Sequence, residues 1–427
     1  MIIIYKVLTN LLYPILIIFL YYRKIINKED PKRFKEKIFS AHFKISKKEK
    51  QKLIWFHAAS IGEFKSILPI INQLNLLENN LYFLITTTTL SSGNLAKIDL
   101  EKIKNADHRY LPIDVSFLID RFLYLWKPEK IFLVDSEIWP NLILKAKKYN
   151  IPIALLNARL TSKSFKRWMV FPKVAKKIFG MIDLFICSNI ETKNYLEKLK
   201  LKNIYFKGNI KLADQINENE IVNYNQSSLI NKRFWFAAST HSEEDIFCLK
   251  THLKLKEKYD DILTIIAPRH IERSKDLKSL SETFKLNAQI LDQDEKIKEN
   301  KEIIIINYFG SLKSYFKFAK SVFIGKSMIK SLRKDSGQNP IEAAKLDCKI
   351  YHGPFIYNFE DIYQILEQNN ISQKINSFEE LSKNLEIDLK DFKKTQSDNK
   401  VFINRLGQKT LKDTMELIKT FLNNENQ

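Results

Sequence analysis

The chain has few cysteines, and none of them lies in a metal-binding pair. Cys187, Cys248 and Cys348 are far apart in a sequence of 427 residues, and none belongs to a CxxC motif. Because zinc sites and disulfide frameworks need grouped or numerous cysteines, neither is predicted. Cys187 and Cys348 lie in or beside apolar runs, which favours reduced thiols that pack as small hydrophobic groups.

Glycine is also scarce, at 9 residues, whereas lysine, isoleucine and asparagine are abundant. The formal net charge is +21, from 70 Lys plus Arg against 49 Asp plus Glu. A general residue bias can produce such a charge without a binding patch, and attraction to phosphates or acidic lipid headgroups is the open alternative. Neither an RNP-type nor a zinc-finger signature accompanies the charge, so no nucleic-acid partner is expected.

The amino terminus is the longest apolar run. Residues Ile2 to Tyr22 are interrupted only by Lys6, Thr9, Asn10 and Pro14, and a cluster of Lys and Arg follows from Arg23. A run of about 20 apolar residues is near the minimum for crossing a bilayer as a helix. The positive charges predict that the rest of the chain stays cytoplasmic, and the lack of a small-residue cleavage site argues against a secretory signal. Residues 1–30 are therefore predicted to be a membrane anchor, with an interfacial helix or a buried first helix as alternatives.

From Leu53 onward, short apolar runs alternate with amphipathic stretches, a pattern typical of parallel α/β sheets. Residues 31–213 are predicted to form the first domain. Its predicted strands are Leu53 to His57, Leu81 to Thr86, Ile131 to Val134, Ile153 to Leu156, Phe185 to Cys187 and Ile204 to Phe206.

Residues 214–232 are polar and lack a sustained apolar period, so they are predicted to link two domains. Residues 233–427 are predicted to form the second domain with a second parallel sheet, and the placement of the last helix, in this domain or back on the first, is left open. The predicted strands are Phe234 to Ala238, Ile262 to Ala267, Ile303 to Ile306, Ser321 to Ile324 and Lys349 to Tyr351.

Ligands of open parallel sheets bind beyond the carboxyl ends of the strands, so residues just after strands are the candidates. The first strand is followed by small residues and then by Glu63 at a helix start. A carboxylate there complements the helix dipole without any function, and His57 at the strand end is typical of a packed core histidine. Glu63 becomes a catalytic candidate only because the turn leaves room for a substrate.

Asp135 and Glu137 follow another predicted strand in the segment DSEIWPN. Two acids spaced in this way could hold a divalent cation, although two carboxylates alone make a weak site. The alternative is that one acid orients a partner while the other caps the following helix.

Basic and polar residues follow later strands. The segment NARLTSKSFKRW has the composition of a phosphate contact or of a solvated basic helix. Arg269 and His270 directly follow a strand, where a guanidinium can meet a phosphate. Asn339, Pro340 and Glu342 lie at a helix start, where a carboxylate either accepts ribose hydroxyls or complements the helix dipole.

The order of these segments resembles one family, the membrane-attached transferases of 3-deoxy-D-manno-octulosonic acid (Kdo) in lipopolysaccharide assembly. The resemblance extends from the apolar amino terminus to at least Phe359. The matching segments are HAASIGE, TTTTLSSG, YLPID, DSEIWPN, NARLTSKS, ASTHSEE, APRHIER, GQNPIEAA and HGPFIYNF.

The resemblance implies an α/β fold of the GT-B type, with two Rossmann-like domains that face each other across a cleft. It implies an inverting glycosyltransferase that moves Kdo from CMP-Kdo onto the phosphorylated lipid A precursor, lipid IVA. The expected location is the cytoplasmic face of the bacterial inner membrane, in contact with its lipids. No metal or other cofactor is expected, because CMP carries a single phosphate.

The resemblance also implies roles for single residues. Glu63 corresponds to the catalytic base, and Asp135 and Lys211 correspond to groups that stabilise the transition state. The implied nucleotide contacts are Arg269, His270, Gly310, Ser311, Leu312, Asn339, Pro340, Ile341 and Glu342. The sequence departs from the family pattern at Asp135, where glutamate is usual, and at Lys326 and Gln338, where glycine and histidine are usual.

A rival interpretation keeps the GT-B architecture and changes the chemistry. In that case the enzyme would use a UDP-sugar on a lipid or peptidoglycan precursor. Competition between CMP and UDP for binding would separate the two hypotheses.

Overall fold

A computed structural model describes the backbone of residues 1–45, 51–78, 80–394 and 398–424, and their side chains except those of 333–335. The chain divides into two compact units. Unit 1 comprises Met1–Asp214 and Leu406–Gln427, and unit 2 comprises Gln215–Arg405. Each unit contains one seven-stranded parallel sheet, so the α/β class predicted from the alternating pattern is confirmed.

Unit 1 begins with a long helix and continues as alternating strands and helices. Its elements are α1 (Ile2–Ile25), β1 (Lys52–His57), α2 (Ile61–Leu77), β2 (Leu81–Thr87), α3 (Leu90–Leu100), β3 (Ala106–Tyr110), α4 (Ser116–Trp126), β4 (Lys130–Val134), α5 (Pro140–Lys148), β5 (Ile153–Ala158), α6 (Ser162–Trp168), α7 (Pro172–Phe179), β6 (Leu184–Cys187), α8 (Ile190–Lys198) and β7 (Ile204–Phe206).

The strands of unit 1 lie in the order β3-β2-β1-β4-β5-β6-β7. Successive side chains of a strand point to opposite faces, so β1 supplies both cores. Leu53 and Trp55 pack with residues of α4, α5, α7 and α8 on one face. Ile54 and Phe56 pack with α2 and α3 on the other. The carboxyl ends of the neighbouring strands β1, β4 and β5 therefore lie side by side at the same end of the sheet.

Unit 2 repeats the same plan. Its elements are α9 (Gln226–Ile230), β8 (Phe234–Thr240), α10 (Ser242–Lys256), β9 (Leu263–Pro268), α11 (Ser274–Thr283), β10 (Ala288–Leu291), β11 (Ile303–Ile306), α12 (Leu312–Phe316), β12 (Ser321–Ile324), α13 (Ile341–Lys345), β13 (Lys349–His352), α14 (Glu360–Gln368), β14 (Ser372–Lys374) and α15 (Phe378–Asp388). The last helix, α16 (Asp398–Asn423), begins in unit 2 and belongs to unit 1 from Leu406.

The strand order of unit 2 is β10-β11-β9-β8-β12-β13-β14. Trp235 and Ala237 pack with α10, α11 and α15, whereas the Phe236 ring lies against Tyr315 and Phe316 on the opposite face. From Gln215 onward, the polar segment 214–232 is part of this unit.

Two asparagines of this segment are buried. Asn223 donates to the Ser314 carbonyl at 3.1 Å, and Asn225 donates to the Glu295 carbonyl at 2.9 Å. This polar segment is thus held to the rest of unit 2 by its asparagine side chains.

Three strands were missed by the sequence prediction, and all three lie at sheet edges. These are β3, β10 and β14. An edge strand has one open side, and here the segments are short or polar, as in ADHRY and SQK. Apolar runs therefore identify inner strands and are a weaker signal for edge strands.

Candidate active site

Glu63 lies in the first turn of α2, directly beyond β1. Ser60 caps this helix, and its hydroxyl accepts the Glu63 backbone N–H at 3.4 Å. The Glu63 side chain folds back over the same turn. Its Oε2 accepts the Ala59 backbone N–H at 2.8 Å, and its Oε1 accepts the Ser60 hydroxyl at 2.9 Å. This geometry is that of a helix-capping glutamate, and it also holds the carboxylate at the sheet edge.

The surroundings make the Glu63 carboxylate a stronger proton acceptor than a surface glutamate. Burial, followed by the negative charges of Asp135 and Glu137, raises its pKa from 4.5 to about 7. The hydrogen bond from Ser60 and the charge of Lys211 act in the opposite direction. A general base works best with a pKa near the working pH, so Glu63 has the acid–base property that proton abstraction requires.

Asp135 lies at the end of β4 and is bound on both carboxylate oxygens. Its Oδ1 accepts from Asn157 Nδ2 and its Oδ2 from Lys211 Nζ, each at 2.5 Å. Asp135 directly follows β4 and Asn157 is the penultimate residue of the neighbouring β5, and both have the left-handed conformation, with φ of 56° and 51°. Asp and Asn tolerate this conformation better than most residues, and it turns their side chains toward each other.

Asn157 also connects the sheet to the segment that bears Lys211. Its Oδ1 accepts the Ile210 backbone N–H at 2.9 Å, at the start of a 3-10 turn, Ile210–Ala213. Gly407 of α16 packs against the Leu212 carbonyl, and a Cβ at Gly407 would collide with it. The ammonium group of Lys211 is therefore positioned by contacts from three separate parts of unit 1.

Glu137 is held beside this group by a second set of hydrogen bonds. Its Oε2 accepts the Trp139 indole N–H at 2.7 Å and lies 3.2 Å from His57 Nε2. His57 is fully buried, and its Nδ1 lies 2.9 Å from the Thr86 hydroxyl. The His57 ring therefore bridges Thr86 of β2 and Glu137 through its two nitrogens. His57 is thus a core histidine whose outer nitrogen fixes a carboxylate near Glu63.

The three residues predicted as catalytic, Glu63, Asp135 and Lys211, are brought together beyond the carboxyl ends of the inner strands of unit 1. Their roles stay predictions. Within the described part of the chain, no group of three or more His, Cys, Asp or Glu side chains could hold a metal ion.

In unit 2, a cationic cluster lies beyond β8, β9 and β12. Arg269 and His270 follow β9 and are exposed, and the His270 ring meets the His241 ring edge to face at 5.8 Å between centroids. Burial lowers the pKa of His241 to about 4, and the positive charges of Lys326, His270, Arg273 and Arg269 act in the same direction. Arg273 is paired with the buried Asp245, so Arg269 and Lys326 supply the positive charge that favours an anion here.

Glu244 organises the loop beyond β12. This carboxylate is fully buried and accepts four backbone N–H groups, those of His241 at 3.1 Å, Lys326 at 2.7 Å, Ser327 at 2.9 Å and Met328 at 3.0 Å. The loop amides that could have bound a phosphate are thus occupied by Glu244. Lys326 is held in the left-handed conformation, with φ of 58°.

The remaining predicted nucleotide contacts form a second group in unit 2. Gly310, with φ of 82°, and the buried Ser311 lead into α12, which begins at Leu312. The Asn339 side chain accepts the Ile341 backbone N–H at 3.0 Å, beside the buried Pro340. A salt bridge of 3.3 Å between Lys313 and Glu342 joins the two segments. Toward the cationic cluster, the Gly337 backbone N–H, two residues before Asn339, donates to the Lys326 carbonyl at 2.7 Å.

Two residues of these sites, Asn157 and Glu244, were missed as functional candidates. Asn157 directly follows a predicted apolar strand, a position that could have marked it. Glu244 lies three residues after His241, as in a capping box, but its other partners lie 82 to 84 residues away. Local spacing does not reveal such partners.

The two seven-stranded parallel sheets define a fold class, the GT-B type. Solved structures agree at the level of the fold. A UDP-N-acetylglucosamine 2-epimerase matches with a TM-score of 0.60 at 12% identity, covering 88% of this chain and 98% of that one. A glycosyltransferase from Rickettsia africae matches with a TM-score of 0.57 at 12% identity, covering 88% of this chain and 100% of that one.

Sequence comparison narrows the class to a family. Residues 32–214 match the model of the 3-deoxy-D-manno-octulosonic-acid transferase (kdotransferase) family. The 3-deoxy-D-manno-octulosonic acid transferase of Rickettsia bellii is 32% identical over 98% of this chain and 99% of its own. That of Haemophilus influenzae is 29% identical over 76% of each chain. The chain belongs to the 3-deoxy-D-manno-octulosonic acid transferase family and is a glycosyltransferase.

Proposed function

We propose that this enzyme transfers Kdo from CMP-Kdo to a hydroxyl of the phosphorylated lipid A precursor, lipid IVA, with inversion at the anomeric carbon and Glu63 as general base. The observation that supports the base is the convergence of Glu63, Asp135 and Lys211 at one sheet edge. Family membership supports the donor sugar.

In the proposed reaction, the Glu63 carboxylate takes the proton of the acceptor hydroxyl. The hydroxyl oxygen forms a bond to the anomeric carbon, and the bond from that carbon to the CMP phosphate oxygen breaks. CMP leaves with the bonding electrons. Lys211, fixed by Asp135, offsets negative charge on the leaving phosphate or on the Kdo carboxylate. No metal is needed in this scheme, because CMP has one phosphate to neutralise.

In unit 2, the cationic cluster is proposed to bind the CMP phosphate. Arg269 and His270 supply exposed donors, and Lys326 supplies a charge next to His241. Because Glu244 occupies the loop amides, side-chain cations rather than backbone N–H groups would neutralise the phosphate. Gly310 to Leu312 and Asn339 to Glu342 are proposed to contact the remainder of the nucleotide.

The proposed location is the cytoplasmic face of the inner membrane, where the acceptor lipid is anchored. The support is α1, which is long and apolar enough to reach into or across a bilayer. The basic residues of its last turn, Arg23 and Lys24, suit anionic lipid headgroups.

The test is product analysis. Purified full-length protein is incubated with CMP-Kdo and lipid IVA, and CMP release is followed together with mass spectrometry of the lipid. The lipid is expected to gain one or more Kdo masses. Transfer from a UDP-sugar with no transfer from CMP-Kdo would overturn the proposal in favour of the rival donor, and CMP binding that UDP does not compete with would support it.

A further inference from the structure

One face of α1 packs against the rest of unit 1 along the whole length of the helix. Its contacting residues recur at intervals of three and four, which places them on one side of a helix. The three hydrogen bonds are Tyr5 Oη to Asp114 Oδ2 at 2.9 Å, Asn141 Nδ2 to Thr9 Oγ1 at 3.1 Å and Tyr13 Oη to the Ile38 carbonyl at 2.5 Å.

Apolar contacts continue this face at both ends. Ile2 packs against the core that α4 and α5 share, and Leu20 packs against Phe34 and Ile38. Beyond Leu20, Arg23 donates to Glu29 at 2.7 Å. The docked face thus extends from the first to the last turn of α1.

The opposite face of α1 is apolar and exposed. Ile4, Leu11, Ile18 and Ile25 repeat every seven residues along this face and are 60%, 73%, 68% and 75% exposed. The exposed apolar residues beside them are Ile3, Val7, Leu8, Ile15, Phe19 and Tyr22. An exposed apolar patch of this extent marks an interaction surface.

The polar residues of α1 lie at the border between the two faces. Lys6 and Asn10 are one turn apart and exposed, and the helical period places both on one lateral edge. Phe117 of α4 is 48% exposed and packs its ring edge to face on Tyr13, which widens the apolar surface next to α1. A helix with an apolar outer face and polar edges is typical of the membrane–water interface.

We propose that α1 lies flat in the surface of a lipid bilayer, with Ile4, Leu11, Ile18 and Ile25 toward the acyl chains, and does not cross it. This orientation rests on the membrane attachment proposed above. The protein would then be bound to one leaflet, with unit 1 held against the membrane by the docked face of α1.

An orientation in which α1 crosses the bilayer is incompatible with the contacts of its docked face. The 24 residues of α1 span about 36 Å, similar to the hydrocarbon thickness of about 30 Å. A crossing α1 would therefore either carry Asp114 and Asn141 into the hydrocarbon or lose all three hydrogen bonds and expose Leu20. Both outcomes are unfavourable, because polar groups and charges are costly to place without partners in a bilayer.

Lipid suits this surface better than a second copy of the chain does. Two chains with a net charge of +21 repel each other, whereas anionic headgroups attract them. Close packing of helices in membranes also relies on small residues, and the outer face of α1 is formed by Ile, Leu, Val, Phe and Tyr.

The first test is flotation of full-length protein with vesicles of phosphatidylethanolamine and phosphatidylglycerol. The double variant Leu11→Asp, Ile18→Asp should reduce the bound fraction about tenfold or more. The reason is that the transfer of two apolar side chains from water into the bilayer is lost. The matched control is Leu76→Asp on α2, where Leu76 is 83% exposed on the other side of the sheet. Equal flotation of the double variant would show that this face does not meet the membrane.

The second test measures orientation. Cysteine is introduced singly at positions 4, 11, 18 and 25 and spin-labelled, since the native cysteines are buried. The depth of each label in the vesicle is then obtained from its relaxation by oxygen and by a water-soluble nickel complex. A flat helix gives similar shallow depths at all four positions.

The outcomes separate the two claims. A maximum depth near position 11 with both ends at headgroup level would overturn the flat orientation and leave attachment intact. Absence of flotation by the unchanged protein would overturn attachment as well. Spin–spin broadening between labels on different chains would assign the face to a dimer instead.

Discussion

Glu63 and Glu244 hold equivalent places in the two units and have different surroundings. Each lies in the first turn of the helix that follows a central strand, β1 or β8. Glu63 accepts one backbone N–H and one hydroxyl. Glu244 is fully buried and accepts four backbone N–H groups.

The comparison shows how hydrogen-bond donors decide the use of a carboxylate. Because four N–H donors occupy both carboxylate oxygens, Glu244 cannot take part in proton transfer, although burial still raises its pKa. Glu63 has fewer donors and two acidic neighbours, so its pKa rises to about 7. One strand–turn–helix pattern therefore yields a loop clamp in unit 2 and a candidate base in unit 1.

The largest expected effect is on activity, in Glu63→Gln. The amide cannot accept the acceptor proton, so kcat/KM for Kdo transfer should fall about 10²- to 10⁴-fold. Thermal unfolding should change little. The control is Glu78→Gln at the other end of the same helix, which should keep full activity. Activity of Glu63→Gln equal to that of the control would remove Glu63 from the role of base.

The next effect is on stability, in Glu244→Gln. The amide NH₂ would face backbone N–H donors in place of an acceptor oxygen, which leaves buried groups unpaired. We expect the free energy of unfolding to fall by about 2 to 4 kcal/mol in urea titrations. Glu243→Gln, at the exposed neighbouring position, is the control. A loss of activity at unchanged stability in Glu244→Gln would contradict a purely structural role for Glu244.

A third effect concerns pH. Activity should rise as Glu63 loses its proton, through about pH 7, and Glu137→Gln removes a negative charge that raises the pKa of Glu63. The acidic limb of the kcat/KM profile should therefore move to lower pH by a fraction of a unit. Glu129→Gln, at the other end of the β4 region and exposed, should leave the limb in place.

The same proton affects stability with a defined sign. Between pH 4.5 and about 7, the folded protein holds a proton on Glu63 that the unfolded chain has released. The free energy of unfolding should therefore decline as pH rises through this window. Glu63→Gln should lack this contribution, and an identical slope in both proteins would contradict the raised pKa.

The last effect is expected in the loop whose backbone N–H groups Glu244 accepts. Lys326→Gly places glycine where φ is 58°, so stability should change by less than about 1 kcal/mol. Affinity for CMP in isothermal titration should fall about tenfold, because one cation near the phosphate is lost. Lys330→Ala, at an exposed position of the same loop, is the control. Unchanged CMP affinity in Lys326→Gly would exclude this lysine from the phosphate site.

The inner strands and the turn that holds Glu63 could be predicted because their signals are local. The run from Leu53 to His57 is apolar, and small residues follow it. Edge strands such as β3 lack that signal. The surroundings of the carboxylates depend on contacts between distant segments, as between Asn157 and the 3-10 turn 53 residues later. Sequence patterns predict where a side chain lies in its element, and tertiary packing determines which groups it meets.

The path of α16 has a consequence for synthesis of the chain. Leu411, Met415 and Ile418 complete one core of unit 1, and Gly407 packs against the turn that bears Lys211. These residues leave the ribosome only after all of unit 2. Unit 1, although it begins first, cannot close that core or fix Lys211 until the later unit has been translated, so a chain interrupted after unit 2 would carry an unfinished first unit.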